Sequence, residues 1–162
     1  MLNELFNSMP QTGKVSWIGI RPERAAPLIS LNEVNVKAKG GLEGDRYSGG
    51  LSGKRQISLI QGEHLDTVAS IMGVEAIDPG LVRRNIVVRG TNLLALHDRR
   101  FRIGDAVLEG SGYCHPCSRM ETNLGPGGYN AMRGHGGILA RVIEPGTIRL
   151  GDEVRLGVKD EE

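Results

Sequence analysis

Long apolar stretches are missing from this chain: no run of about 18 hydrophobic residues occurs in it, so no membrane-spanning helix is expected. Net charge is small, +1, which withholds the bulk electrostatic attraction behind non-specific nucleic-acid binding. Cysteine is scarce. Two residues cannot build a disulfide framework, and a reducing cytoplasm is the expected setting. The first twenty residues lack a basic start, an uninterrupted apolar run and a small-residue cleavage site, so no secretory signal is expected. Aromatic residues make up only 4%, and the expectation for a sheet-rich chain so poor in them includes a homodimer.

Glycine and arginine are abundant instead. The 24 glycines are about twice the usual share, which predicts many tight turns. Of the 20 basic residues, 15 are Arg, the side chain whose planar fork suits phosphate and carboxylate; a GC-rich genome would give the same bias. At 162 residues and 17.5 kDa the chain has room for one core, so a single domain is expected over 1–162, with its core at about 14–156. The acidic end, Asp160-Glu161-Glu162, is expected to fray.

Short apolar or alternating runs recur between glycines. Lys14–Ile20, Glu33–Val36, Arg55–Ile60, Arg84–Arg89, Arg100–Ile103, Ala106–Glu109, Leu139–Ile143, Thr147–Leu150 and Glu153–Leu156 read as strands. Gly104-Asp105 and Gly151-Asp152 supply turns. Gly62 to Gly73 differs, with Leu65, Val68, Ala69 and Met72 at helical spacing and Gly73 placed to end the helix. A second, shorter helix is expected from about Tyr129 to Met132. The pattern therefore predicts a mainly β protein, a closed or nearly closed barrel of short strands with one or two short helices.

Both cysteines sit in Cys114-His115-Pro116-Cys117. A bridge across two residues would remove little loop entropy, so reactivity, metal binding or chance must explain the pair. Arg119 follows closely, and a guanidinium near a thiol favours the thiolate, the form that attacks electrophiles and ligates metals. A thiol-disulfide oxidoreductase would place its first cysteine at a helix N-terminus after an early strand; here the pair follows a series of strands. A zinc site from Cys114, Cys117, His135 and a fourth ligand is a further alternative. Gly41–Gly50 forms a glycine-rich loop that either brings backbone N–H groups and Arg46, Lys54 or Arg55 to an anionic ligand, or is a plain hairpin turn. Arg83 and Arg84 precede an apolar strand as rim charges.

Taken in order, Gly41-Leu42-Glu43-Gly44-Asp45-Arg46, Arg55–Ile60, Arg84-Asn85-Ile86, Gly90, Asn92-Leu93, Phe101–Gly104, Pro116-Cys117, Gly136–Val142 and Gly146–Asp152 resemble the MOSC domain. That module closes molybdenum cofactor sulfurases and also occurs as free-standing bacterial proteins. The resemblance implies a β-barrel-like fold and a role in sulfur transfer or molybdenum cofactor handling. It makes Cys117 the sulfur carrier or molybdenum ligand, with Cys114 as a resolving thiol or a neighbour of the site. Gly44, Asp45, Arg46, Arg55, Arg84, Asn85 and Arg119 become candidates for binding the molybdenum-pterin cofactor or a small anionic ligand, with Gly49 and Gly50 allowing close backbone approach. Many relatives carry a histidine where this chain has Tyr47, so a role for that histidine does not carry over.

A pyridoxal-phosphate desulfurase domain is absent from the sequence, so a persulfide would have to come from a partner cysteine desulfurase. Some relatives reduce N-hydroxylated compounds. Two cysteines cannot supply four ligands to an iron–sulfur cluster, so an electron-donor protein would be needed for that reaction. The third alternative is a barrel without catalytic activity that binds an anion or a protein.

Overall fold

The computed structural model describes residues 1–46, 53 and 55–157. Tyr47, Gly49, Gly50, Lys54 and the acidic tail lie outside the described residues. In chain order the elements are α1 (Leu2–Asn7), β1 (Gly13–Ile20), β2 (Ile29–Leu31), β3 (Glu33–Lys37), β4 (Gly41–Leu42), β5 (Ile57–Gln61) and α2 (Gly62–Met72). They continue with β6 (Ile86–Arg89), β7 (Arg100–Ile103), β8 (Ala106–Tyr113), α3 (Ser118–Leu124), α4 (Gly128–Met132), β9 (Ile138–Glu144), β10 (Gly146–Arg149) and β11 (Glu153–Leu156). Short 3₁₀ turns precede β6 at Pro79–Val82 and follow it at Leu93–Leu96.

Seven strands close into a barrel in the order β11, β7, β8, β9, β5, β6, β1, and the seam is made by β1 pairing back onto β11 through Gly13 and Val154. A closed sheet leaves no row of unpaired backbone groups around its girth. β2 adds to β1 as a side branch, and β10, β3 and β4 form a small second sheet. All barrel pairs are antiparallel except β5 with β6. Parallel neighbours need a crossover, and α2 with the Pro79–Val82 turn supplies it. Register shifts in β1 between Val15 and Trp17, and in β8 between Gly110 and Gly112, bend these two longest strands around the barrel.

The barrel interior holds Ile18, Ile57, Leu59, Ile86, Leu93, Phe101, Ile103, Leu108 and Ile138, each fully buried. A second apolar cluster lies outside the wall. There the alternate side chains of β5 and β6, Ile60 and Val87, meet Leu65 and Val68 of α2, Met120 of α3 and Ala131 and Met132 of α4. The strong apolar content of β5 and β6 follows from being covered on both faces.

The sheet-dominated expectation holds, and α2 ends where the sequence placed its stop, with Gly73 left-handed at φ 72°. The expected count of one or two helices is too low. α1 buries no side chain and α3 buries only Met120, so neither carries the apolar stripe that periodicity detects. β2 and β4 are too short to alternate. β8 runs four residues past the expected Glu109, because its Gly-Ser-Gly stretch lacks apolar side chains yet stays paired to β9. Among the described residues no helix is long and apolar enough to cross a membrane.

Candidate functional site

β8 ends at Tyr113 and delivers the two cysteines to the outer rim of the barrel. Cys114 is held in place: its N–H donates to Gly137 O at 2.9 Å, and its carbonyl packs against the Cα of Gly136, where a Cβ would collide. It is buried at 6% exposure, whereas Cys117 is exposed, and both are free thiols. Cys117 is extended and caps α3, its carbonyl accepting from Met120 N at 2.9 Å. The exposed thiol is thus the second of the pair, and the first is clamped in the wall. This reverses the arrangement that the oxidoreductase alternative requires.

A cleft of about 580 Å³ opens beside these residues. Its walls come from the β1–β2 connection, the turn after β4, the start of β5, the segment before β6, and α3. Seven arginines line it, Arg21, Arg24, Arg46, Arg55, Arg83, Arg84 and Arg119, together with Ser58, Cys114, His115 and Cys117, and no carboxylate does. Since the chain's net charge is only +1, positive charge is concentrated here and offset elsewhere.

Arg84 forms the floor. It is only 6% exposed; its Nε donates to Gly136 O and its Nη1 to Val82 O, both at 2.8 Å, and Nη2 reaches His115 O at 3.5 Å. These carbonyls satisfy its donors but do not neutralise its charge, and among the described residues no acidic group pairs with it. Burying an ion without a counter-ion is expensive, so this guanidinium favours an anion in the cleft above it. Arg83 lies at the rim, as expected, with Nη1 donating to Ala26 O at 3.0 Å. Burial, then the positive charges of Arg119, Arg21 and Arg46, push Arg83 below its ordinary value, while Cys117 acts in the opposite sense. These four arginines and the thiol therefore sit within electrostatic reach of one another.

Among the described residues only Ala25 and Arg83 adopt positive φ without being glycine, at 60° and 59°. Both line the cleft. A left-handed residue with a side chain costs about 1–3 kcal/mol, and such strain concentrates where a binding surface is held in shape.

The remaining predicted residues position rather than face a ligand. Asp45 has a fully buried side chain; Oδ1 accepts from Arg21 N at 2.7 Å and Oδ2 lies 3.7 Å from Arg21 Nη2. With Arg46 N donating to Arg21 O at 2.6 Å, the loop that starts at Gly41 is pinned to the β1–β2 connection. Gly44, left-handed at φ 87°, makes the turn between them. Asn85, at 1% exposure, accepts from Ser58 N and Ser58 Oγ and donates to Gly19 O, tying β1, β5 and the start of β6 together and fixing Ser58 at the cleft wall. Arg46, Arg55 and Arg119 are exposed and line the cleft. The residues that sequence reasoning missed are Arg21 and Arg24, which lie before the recognised motifs; their signal was the arginine excess alone.

His135 stands edge-on to His64, with ring centroids 5.2 Å apart, and its Nδ1 lies 3.0 Å from Ala131 O. Among the described residues no group of three His, Cys, Asp or Glu side chains is arranged to hold a metal, so the zinc alternative has no assembled ligand set. A second hollow, of about 870 Å³, lies under α1. It contains no cysteine, and its single arginine, Arg99, is spent on Phe6 O and Asn7 Oδ1.

Barrel, clamped strand end and arginine-lined thiol together define a MOSC fold. A family model for the MOSC domain matches residues 39–155, and the chain belongs to that family. Among solved structures it is similar to the YuaD protein of Bacillus subtilis, at TM-score 0.78 and 22% identity, over 94% of this chain and 100% of that one. It is also similar to YiiM from Geobacillus stearothermophilus, at 0.69 and 18% over 90% of this chain and 75% of that one. For YiiM from Escherichia coli the values are 0.67 and 19% over 92% and 72%. At these identities the likeness speaks to the fold. No curated protein sequence matches the chain.

Proposed function

We propose that this protein binds the molybdenum-pterin cofactor, with Cys117 as the soft protein ligand to molybdenum and the arginines as the seat of the cofactor's phosphate. The observation that carries the reading is an exposed thiol bordering a cleft lined by seven arginines and no carboxylate. The residues fit the group: thiolate is a soft ligand suited to such a metal, and Arg84 is a buried cation lacking a protein counter-ion. When bound, the cofactor would supply the redox centre. Arg46, Arg55 and Arg119 are free to make paired hydrogen bonds to phosphate oxygens, while Arg84 fixes the floor and Asp45 holds Arg21 in the wall. As an enzyme the protein would reduce N-hydroxylated compounds in the cytoplasm, with electrons from a separate donor protein.

A second reading rests on the exposure of Cys117: a carrier of sulfane sulfur. Here a donor persulfide, formed on a cysteine desulfurase, passes its outer sulfur to the Cys117 thiolate and departs as a thiolate. Cys114, clamped and buried, is then the neighbour rather than the carrier.

Molybdenum and pterin analysis of freshly purified protein, with mass spectrometry for a labile sulfur on Cys117, separates the two. Metal with pterin is the expected result; labile sulfur without metal selects the carrier. Cys117→Ser is expected to abolish retention of either while changing unfolding free energy by no more than about 0.5 kcal/mol, because the thiol is exposed. Equal loss in Cys117→Ser and Cys114→Ser would remove the assignment.

A further inference from the structure

We infer that the arginine cleft holds two anionic groups at once, so that the compound acted on beside the cofactor itself carries a phosphate or carboxylate. The inference rests on the cofactor reading for the identity of the first anion. Three of the seven guanidinium groups are engaged by the protein, Arg84 and Arg83 by carbonyl oxygens and Arg21 by Asp45. Of these, only Arg21 has an acidic partner. Among the described residues the guanidinium groups of Arg24, Arg46, Arg55 and Arg119 make no hydrogen bond or ion pair, although all four line the cleft.

A phosphate ester brings a charge of about −1.5 to −2 near neutral pH. One such group balances about two guanidinium ions and leaves the rest repelling one another, a repulsion already felt by Arg83 from Arg119, Arg21 and Arg46. The arginines also fall into two sets. Arg83, Arg119, Arg21 and Arg46 act on one another beside Cys117, whereas Arg24 and Arg55 line the same cleft without being among the charges that act on Arg83. Each set includes or adjoins one of the two strained positions, Arg83 itself in the first and Ala25, next to Arg24, in the second. Backbone held in a costly conformation beside each set is what two shaped binding surfaces require. A neutral compound next to the cofactor would leave one set bare, and its charges unbalanced.

Calorimetric titration of the full chain with inorganic phosphate tests this without loaded cofactor. Two equivalents are expected. Arg24→Gln with Arg55→Gln should weaken one of them by about tenfold or more, and Arg46→Gln with Arg119→Gln the other, since each pair removes two charge-assisted donors. All four side chains are exposed, so these variants keep the fold; unchanged thermal unfolding checks it. A single equivalent weakened by both double variants, or no binding at millimolar phosphate, overturns the inference. A single equivalent together with pterin in the purified protein leaves the cofactor reading standing, whereas two equivalents in a protein that never retains pterin or molybdenum support the two subsites and remove that reading.

Discussion

Arg84 and Arg119 are the same side chain in one cleft with opposite tasks. Arg84 is bonded to carbonyls from the segment before β6 and from the turn that leads into β9, so removing it strands acceptors that water cannot reach. Arg84→Met is expected to lower unfolding free energy by about 2–4 kcal/mol in urea titrations, against about 0.5 kcal/mol or less for Arg119→Gln. The sequence offered Arg84 and Asn85 as ligand-binding residues on the strength of a family pattern. A motif preserves whatever a site needs, and carbonyl-bonded floors and amide clamps are needed as much as ligand contacts. Nothing in the local sequence separates the two roles, because the partners of Arg84 lie up to 52 positions away. Cys117 was legible for the opposite reason: its chemistry is intrinsic to the thiol, and Arg119 two positions later already hinted at its surroundings.

Helix α3 carries Cys117 at its cap, so whatever steadies α3 steadies the thiol. Glu121 does this from within the helix, its carboxylate accepting from the backbone N–H groups of Gly127 and Tyr129, each at 3.0 Å, and tying α3 to α4. Those two hydrogen bonds hold the Glu121 carboxyl below its ordinary value of 4.5. A carboxyl lowered in the folded state stabilises above its unfolded value, and that contribution is lost as the pH falls through the lower folded value. Amide exchange at Gly127 and Tyr129 is therefore expected to be slow near neutrality and to speed up, relative to intrinsic rates, in Glu121→Gln. In the parent chain the same relative loss of protection should appear only once the pH drops below about 4.5. Elements with an apolar period were readable in advance, α2 most fully. α3 was not, since a single buried methionine and a carboxylate staple leave no periodic trace, although this helix places the candidate thiol.

At the level of the molecule, near-neutral net charge hid the most charged surface on the protein. The sum of charges excluded bulk attraction to polyanions, but the fold gathers seven arginines from segments spread over residues 21 to 119 onto one wall. Only closure of the barrel brings them together, which is why arginine count was visible in the sequence and arginine placement was not. Because the cleft is open to solvent, phosphate affinity is expected to fall as salt is raised from about 0.05 to about 0.5 M, measured by calorimetry at constant pH. Affinity that ignores salt would mean that the anion is held by backbone groups rather than by the guanidinium set. The seam between Gly13 and Val154 also has a temporal side. During synthesis the first strand has one of its two barrel neighbours missing until residue 154 has been made, so the exposed edge of β1 is left for a chaperone, or a neighbouring nascent chain, to meet first.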